Sequence, residues 1–281
     1  MNDTSFFLKN LKKNLTKIGI KKKDTVYLGI NLGQTFKFYN DEIFKNISLN
    51  KVRETCSKLV FRAIMDRVGL EGTIICPTFS FHFIKNKIFN IEKSKSDLGY
   101  FENFFLNQKK IIRSHHPIFS IAVWGKNKEI INPCGGFSFG ANSPFSNFVK
   151  YNVKFLNVGI KWIDTCTYLH HLEHLNGINH RFYKPTIGKI IYKGKSNTDT
   201  FYNPVRFRKL KSNKAEYKIE KYLKNNSLIV EAKDKIYCSS IKAKDVHDIG
   251  LKVLQKKPSY FMSKNVTVFV DNRDKLTILE K

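Results

Sequence analysis

The sequence has no cysteine pattern that indicates a disulfide framework or a structural zinc site. Its five cysteines are an odd number, and no two of them form a Cys-x-x-Cys motif. No apolar stretch reaches the roughly 18 residues that a membrane span needs, because lysine, asparagine or aspartate interrupts each candidate. The first 19 residues place their lysines after the apolar Phe6–Leu8, whereas a secretory signal has its charges first. We therefore expect a cytoplasmic protein with reduced cysteines and no membrane partner.

Three common ligand-binding motifs are also missing, and acidic residues are far fewer than basic ones. The chain has no Gly-x-x-x-x-Gly-Lys-Ser/Thr, no Gly-x-Gly-x-x-Gly and no Arg/Gln-x-x-Gly-x-Gly/Ala loop of the common small acetyltransferases. Its 23 acidic residues stand against 50 lysines and arginines, which gives a net charge of +27. A surplus of this size predicts an anionic partner. Apart from Lys21–Lys23 the basic residues are scattered, which indicates a generally basic surface rather than one groove.

Apolar spacing predicts helices and strands in alternation along the first two thirds of the chain. The predicted helices are 4–19, 52–68, a short one near 100–106, one capped by Asp164 or Thr165 and ending near 176, and a basic one over 214–224. The predicted strands are 26–30, 73–76, 119–124 and 153–158, then short strands at 189–192, 200–202, 227–230, 235–238 and 266–270. This order predicts an α/β fold, layered α/β/α, with a mostly parallel central sheet and additional short strands in the C-terminal part. We expect a single domain over 1–281, with a core at about 1–185 and a C-terminal elaboration at about 186–281.

The densest polar cluster is the segment 167–174, Thr-Tyr-Leu-His-His-Leu-Glu-His. On a helix, at about 100° per residue, Glu173 and His174 lie within about 60° of His170, whereas His171 points elsewhere. A carboxylate beside an imidazole keeps one ring nitrogen protonated and makes the other more basic. A general base needs this arrangement near neutral pH, so His170 and Glu173 are the candidate catalytic pair.

Two other interpretations of the same segment remain open. The spacing also matches His-x-x-Glu-His, the inverted zinc-protease pattern in which both histidines bind metal. That pattern needs an acidic third ligand on a following helix, and the basic C-terminal half offers no clear candidate, so we expect no metal. Alternatively, the histidines are ordinary helix residues that face solvent or satisfied partners.

Two turns carry further candidate groups. Residues 113–117, Arg-Ser-His-His-Pro, offer a guanidinium, a hydroxyl and an imidazole that suit phosphate or amide groups, with a purely structural turn as the alternative. Residues 139–145 form a turn before a short helix, whose backbone donors suit an anion. Gly136–Gly140 matches Gly-x-Ser-x-Gly, but a turn precedes it and Asn-Ser-Pro follows, so the strand–turn–helix context of a serine nucleophile is missing. We interpret it as a glycine-rich loop.

Taken in order, five segments resemble the motifs of the aminoglycoside 3-N-acetyltransferase family. They are Gly72-Thr73-Ile74-Ile75-Cys76-Pro77-Thr78, Arg113-Ser114-His115-His116-Pro117 with Ser120, Phe139-Gly140-Ala141-Asn142-Ser143-Pro144, Leu156-Asn157-Val158-Gly159 and Thr167-Tyr168-Leu169-His170-His171-Leu172-Glu173. Their order and spacing match the family pattern over roughly residues 20–185. One segment departs from it: where the family has His-x-Ser after the first strand, this chain has Gly29-Ile30-Asn31-Leu32.

The resemblance implies acetyl-CoA as donor and direct acetyl transfer to an amine, without a covalent enzyme intermediate. By that analogy His170 accepts the proton of the amine, and Glu173 orients and polarises its ring. The implied coenzyme A contacts are Asn31, Leu32, Gly33, Arg113, Ser114, His116 and Ser120. The implied acceptor contacts are Thr78, Phe79, Tyr168 and His174.

The net charge of the chain and the name of the family predict different acceptors. Aminoglycosides are polycations, and a protein of +27 repels them at long range, although salt screens this beyond about 8 Å. An amino sugar on a nucleotide diphosphate is anionic and would be attracted. We therefore predict a nucleotide-linked amino sugar of surface-glycan synthesis, with 3-amino acetylation of aminoglycosides as the alternative and a homodimer as the candidate assembly. A nucleic-acid-binding protein is a different-class alternative, but the aromatic residues lack an RNA-stacking signature, so we expect no nucleic-acid partner.

Overall fold

A computed structural model of the 281-residue chain describes residues 3–36, 47–207, 217–262, 266–270 and 276–280. The α-helices within them are α1 Asp3–Lys17, α2 Leu32–Phe36, α3 Leu49–Val68, α4 Phe83–Asn86, α5 Tyr100–Leu106, α6 Tyr168–Leu175, α7 Tyr217–Asn225 and α8 Ala243–Lys256. The strands are β1 Thr25–Ile30, β2 Thr73–Pro77, β3 Ile88–Asn90, β4 Ile112–Arg113, β5 Ile121–Gly125, β6 Lys154–Val158, β7 Arg181–Tyr192, β8 Lys195–Arg206, β9 Val230–Ala232, β10 Cys238–Lys242, β11 Val266–Val270 and β12 Leu276–Glu280. No helix among the described residues is long and apolar enough to cross a membrane.

The central sheet has seven strands in the order β4-β5-β2-β1-β6-β10-β9. Its middle three strands, β2, β1 and β6, are parallel, and the flanking strands on both sides run antiparallel to their neighbours. The predicted α/β fold is therefore confirmed, with the parallel pairing at the centre of the sheet. Parallel strands cannot be joined by a tight turn and need a longer connection, and α2 and α3 lie between the parallel strands β1 and β2 in the chain.

Two apolar layers cover the two faces of this sheet, because successive strand residues point to opposite sides. In β1, Val26 and Leu28 pack with α1, α3 and α5, whereas Tyr27 between them packs with α6 and α8. The apolar residues that recur every three or four positions in and just after α1 face the core: Phe7, Leu11, Leu15 and Ile18 are buried, and Leu8 is half-buried. The layered α/β/α prediction is confirmed by these two clusters.

The strands predicted at 189–192 and 200–202 were too short. They belong to one hairpin of two twelve-residue strands, β7 and β8, joined at Lys193-Gly194, where both residues have positive φ as a tight hairpin turn requires. β7 continues through Pro185, although a proline cannot donate a ladder hydrogen bond. β3 pairs with β7 only at residues 189–191, so one side of β7 is an unpaired edge at Pro185. This long hairpin passes beside the end of α6.

The chain after residue 185 also contributes to the central sheet. β9 and β10 begin about three residues later than the strands predicted at 227–230 and 235–238, and β10 pairs with β6. The predicted basic helix is present as α7, while residues 214–216 of that prediction lie outside the described residues. The last predicted strand coincides with β11.

Candidate active site

The predicted pair of His170 and Glu173 is in contact on one face of α6. His170 Nδ1 lies 2.8 Å from Glu173 Oε2, and Glu173 is only 2% exposed. Because a carboxylate can only accept, His170 donates through Nδ1 and its Nε2 is left as the basic nitrogen. This is the protonation pattern predicted from the three-residue spacing.

Glu173 has two further partners that the sequence did not point to. His180 Nε2 donates to Oε1 at 2.9 Å, and Arg181 Nε donates to Oε2 at 2.8 Å. Burial alone would raise the pKa of Glu173, but hydrogen bonds from His170 and His180 and the charges of His170 and Arg181 outweigh it and hold that pKa well below its usual range. Glu173 is therefore ionised, and its charge is fixed in place.

A cavity of about 120 Å³ is lined by His170, Glu173, His174, Arg181 and Tyr183, with Gly177, Ile178 and Pro204. We call it the acceptor cavity, after the predicted acceptor contact His174. The His174 Nδ1 atom is hydrogen-bonded to the Tyr183 hydroxyl. The predicted convergence of His170, Glu173 and His174 is thus confirmed. Burial lowers the pKa of His174, so its ring stays neutral at neutral pH.

His171 points away from this cavity, as its helical position predicts. Its Nδ1 accepts a hydrogen bond from the Gly140 N–H at 3.2 Å, and its ring stacks on Tyr168. Burial, with the nearby His247 and His174, lowers its pKa to about 3. A neutral His171 therefore anchors the loop at Gly140 to α6.

The start of α6 differs from the prediction. Residues Trp162–Asp164 form a 3₁₀ turn, and the Thr165 hydroxyl donates to Asn157 Oδ1 at 2.7 Å, so neither Asp164 nor Thr165 caps the helix. α6 begins at Tyr168. Its end is as predicted: Gly177 has φ 60°, a conformation that favours glycine and turns the chain back along the helix. This reversal brings His180 and Arg181 to Glu173. The glycine that ends the helix is therefore the sequence signal from which these two partners of Glu173 could have been predicted.

A second, larger cavity lies at the end of β1, and we call it the coenzyme cleft after the predicted coenzyme contacts in its lining. Its volume is about 1030 Å³, and Asn31, Leu32 and Gly33, the predicted coenzyme contacts, all line it. Arg53 and Lys95 also line it and form no ion pair or side-chain hydrogen bond with the described residues. Burial raises the pKa of Glu102 in its wall to about 7, so this carboxyl is partly neutral at physiological pH. Within the described part of the chain, the coenzyme cleft and the acceptor cavity share no lining residue.

Arg113, Ser120 and Thr78 form a buried network that faces neither cavity. The Arg113 guanidinium donates to both hydroxyls at 3.2 Å, to Ser94 O at 2.5 Å and to Ser80 Oγ at 2.8 Å, and it also bonds Thr78 O. It lies 4.7 Å from the centre of the Phe89 ring. This network joins β2, β4 and the turn before β5, so its coenzyme and acceptor contacts stay predictions.

Ser114 and His116 are buried nearby. Ser114 Oγ accepts from the Ile121 N–H at 2.9 Å. His116 Nδ1 accepts from the Phe119 N–H, so its Nε2 donates to Ser138 Oγ at 3.2 Å. Burial lowers the pKa of His116 to about 3, which leaves the ring neutral. Ser138 is the serine of the Gly-x-Ser-x-Gly match, and 3₁₀ turns before and after the loop confirm that it is not a strand–turn–helix elbow.

Two predicted acceptor contacts belong to the core. Tyr168 stacks on Phe148 and its hydroxyl is hydrogen-bonded to His247 Nδ1 at 2.9 Å. Phe79 is 4% exposed and packs against Phe119 with ring centres 5.0 Å apart. Neither residue lines the coenzyme cleft or the acceptor cavity, so their role as acceptor contacts stays a prediction.

The sequence matches the family model described as aminoglycoside 3-N-acetyltransferase over residues 46–255. The chain belongs to the aminoglycoside 3-N-acetyltransferase family. It is therefore an N-acetyltransferase that uses acetyl-CoA as its donor. No curated protein sequence gives a match to this family member.

Solved structures of other acetyltransferases share the fold of this family member. AAC(3)-Xa superimposes with a TM-score of 0.72 at 16% identity, covering 92% of this chain and 98% of its own. AAC-IIIb, a binary complex with CoASH, gives 0.71 at 17% identity, covering 91% and 97%. AAC-VIa bound to sisomicin gives 0.71 at 17% identity, covering 89% and 97%. Identities this low support the fold and not the substrate.

The zinc-protease interpretation of the α6 segment finds no support in this acetyltransferase. Among the described residues, no group of three or more histidine, cysteine or acidic side chains is placed to hold a metal ion. The Nδ1 atoms of His170 and His174 are instead engaged by Glu173 and Tyr183. Both Nδ1 atoms thus have protein partners.

Proposed function

We propose that this acetyltransferase acetylates an amine of an aminoglycoside-type amino sugar, with His170 as the proton acceptor. The match to a family described as aminoglycoside 3-N-acetyltransferases supports the reaction, and it favours this acceptor class over the nucleotide-linked sugar predicted from charge alone. The observation that carries the proposal is the His170–Glu173 pair at the acceptor cavity, with Glu173 buried and ionised.

The chemistry of this pair follows from its hydrogen bonds. An unprotonated amine attacks the thioester carbon of bound acetyl-CoA: the C–N bond forms, the C–S bond breaks, and coenzyme A leaves as a thiolate that takes up the proton passed through His170. His170 Nε2 takes the proton that the amine loses, because Nδ1 already donates to Glu173. The positive ring that results faces an ionised carboxylate at 2.8 Å, which stabilises it. Glu173 thus orients the ring and holds its tautomer while remaining unprotonated.

The coenzyme cleft has the residues that the phosphate-bearing end of acetyl-CoA requires. Its volume of about 1030 Å³ suits a large ligand. Arg53 and Lys95 bring two positive charges that no described acidic group neutralises, and Asn31 adds amide donors. Arginine and lysine are the side chains that proteins use for phosphates. We therefore assign the phosphates to Arg53 and Lys95.

Replacing both Arg53 and Lys95 by alanine should raise the KM for acetyl-CoA about thirtyfold and leave kcat within about twofold, since each lost charge-assisted contact weakens binding about fivefold or more. Steady-state kinetics with varied acetyl-CoA measures this. Arg62→Ala is the matched control, because Arg62 is on the same helix, is two-thirds exposed and lines neither cavity. An unchanged KM in the double variant would remove the phosphate assignment.

A nucleotide-linked amino sugar remains the second candidate acceptor, for one specific reason. Glu173 is the single carboxylate among the described residues that line the acceptor cavity, and its oxygens are already bonded to His170, His180 and Arg181. A polycation therefore finds no free counter-charge in this lining, and an anionic acceptor finds Arg181.

A panel of acceptors separates the two candidates. The wild-type enzyme is incubated with acetyl-CoA and kanamycin A, glucosamine or UDP-glucosamine, and thiol release is followed at two salt concentrations. We expect kcat/KM to be at least tenfold higher with kanamycin A than with UDP-glucosamine, and the product to carry the acetyl group on its 3-amino nitrogen. A higher value with UDP-glucosamine would favour the second candidate, and no release with any amine would reject both.

A further inference from the structure

An exposed aromatic ring stands beside the acceptor cavity. Phe137 is 42% exposed, although its ring stacks on Tyr202 with centres 4.6 Å apart and planes 15° apart. On the same side it contacts Tyr183, with centres 5.0 Å apart, and His174 at 6.0 Å. Because Tyr183 and His174 line the acceptor cavity together with His170, Phe137 extends that lining outward.

The backbone around Phe137 is fixed on both sides. The Tyr202 N–H donates to Gly136 O at 2.8 Å, and the Ser138 N–H donates back to Tyr202 O at 3.2 Å. A Cβ on Gly136 would lie 2.6 Å from Thr200 O, so glycine is required for the loop to approach β8 this closely. The loop therefore holds the half-exposed ring of Phe137 in a fixed position beside the cavity.

The described residues that line the acceptor cavity provide no free carboxylate to receive an amino sugar. In the described lining Glu173 stands alone as an acid, and three protein donors occupy it. The stacked rings provide a different attraction. The face of an aromatic ring carries negative potential, which attracts ammonium groups and the partly positive C–H groups of a sugar.

We propose that Phe137, stacked on Tyr202, is a platform for the sugar ring of the acceptor, so that this acetyltransferase holds its acceptor by aromatic contact rather than by carboxylates. The inference rests on the proposed function, because the acceptor must be an amino sugar. Phe137 does not touch the proton that His170 accepts, so it determines acceptor binding and not the chemical step.

The test is Phe137→Leu, which keeps an apolar side chain and removes the ring. We expect the KM for kanamycin A to rise about tenfold, with kcat and the KM for acetyl-CoA within about twofold of wild type. Phe137→Tyr should restore the wild-type KM, since it returns the ring. Phe182→Leu is the matched control. Phe182 is 40% exposed on the β7–β8 hairpin that Phe137 packs against, but it alternates with Tyr183 and packs on Phe207 instead.

Calorimetric titration of the same proteins with kanamycin A separates this inference from the proposed function. Acetylation by wild type together with an unchanged KM in Phe137→Leu would overturn the platform and leave the function standing. Binding that weakens about tenfold in Phe137→Leu supports the platform even if turnover is too slow to measure. A wild type that neither binds nor acetylates kanamycin A, glucosamine or UDP-glucosamine would overturn both. Melting curves of the two Phe137 variants within about 2 °C of wild type confirm that the fold is intact.

Discussion

Replacing His170 by alanine should lower kcat by about 10³-fold and leave the affinity for acetyl-CoA within about twofold of wild type. The alanine removes the nitrogen that accepts the amine proton, and general-base catalysis typically contributes 10²–10⁴-fold. The coenzyme cleft contains no part of α6, so coenzyme binding does not depend on this ring. Thiol release with a saturating acceptor gives kcat, and calorimetry with coenzyme A gives the affinity.

The chain provides a closely matched control for this variant. His82 also forms a histidine–acid pair, with its Nδ1 2.9 Å from Asp97 Oδ2, and its side chain is 31% exposed against 29% for His170. It lines neither cavity, so His82→Ala should retain the wild-type kcat. A His170→Ala enzyme with unchanged kcat, or an equal loss in both variants, would contradict the assignment of His170 as the base.

Replacing Glu173 by glutamine should lower both activity and stability. The neutral amide no longer fixes which nitrogen of His170 carries the proton, so we expect kcat to fall by about 10²–10³-fold. It also leaves the nearly buried Arg181 without its counter-charge, so the free energy of unfolding should fall by about 3 kcal/mol. Urea denaturation and steady-state kinetics measure the two effects separately.

The pH dependence of stability gives a second readout of Glu173. Its pKa is lower in the folded protein than in the unfolded chain, where a glutamate titrates near 4.3. The carboxylate therefore stabilises the fold above about pH 4.3, and this contribution is lost as the pH falls toward the folded pKa. Unfolding measured from pH 6 to 3 should show a smaller loss in Glu173→Gln than in wild type. Glu71→Gln removes an exposed ion pair with Lys126, and its stability should fall with pH in the same way as that of wild type. Identical pH curves for wild type and Glu173→Gln would refute the claim.

The contact between His170 and Glu173 could be predicted from sequence because it depends on local geometry. Helical spacing places His170, Glu173 and His174 on one face whatever the rest of the chain does. The apolar periodicity of α1 and α3 predicted their buried faces for the same reason. The prediction of acetyl-CoA as donor came from the family motifs, because apolar periodicity carries no information about a cosubstrate.

The residues that complete the site come from contacts that spacing does not encode. His180 and Arg181 reach Glu173 only because the chain reverses at Gly177. Phe137 contacts His174 and Tyr183 of the cavity lining only because its loop pairs with Tyr202, 65 positions further along. The motif at Arg113 suggested ligand binding, yet its donors are taken by Thr78, Ser80, Ser94 and Ser120 in the structure. A cluster of donors in the sequence does not reveal whether the protein itself uses them.

The position of β10 beside β6 bears on how the chain reaches this structure during synthesis. Asn157 and Ser239 are register partners, although 82 residues separate them. Until Cys238–Lys242 has left the ribosome, β6 keeps an unpaired edge, even if β1 has already joined its other side. Pairings between such distant segments form slowly and expose strand edges to other chains. During synthesis the chain therefore passes through a state in which β6 has an unpaired edge that can associate with other polypeptide chains.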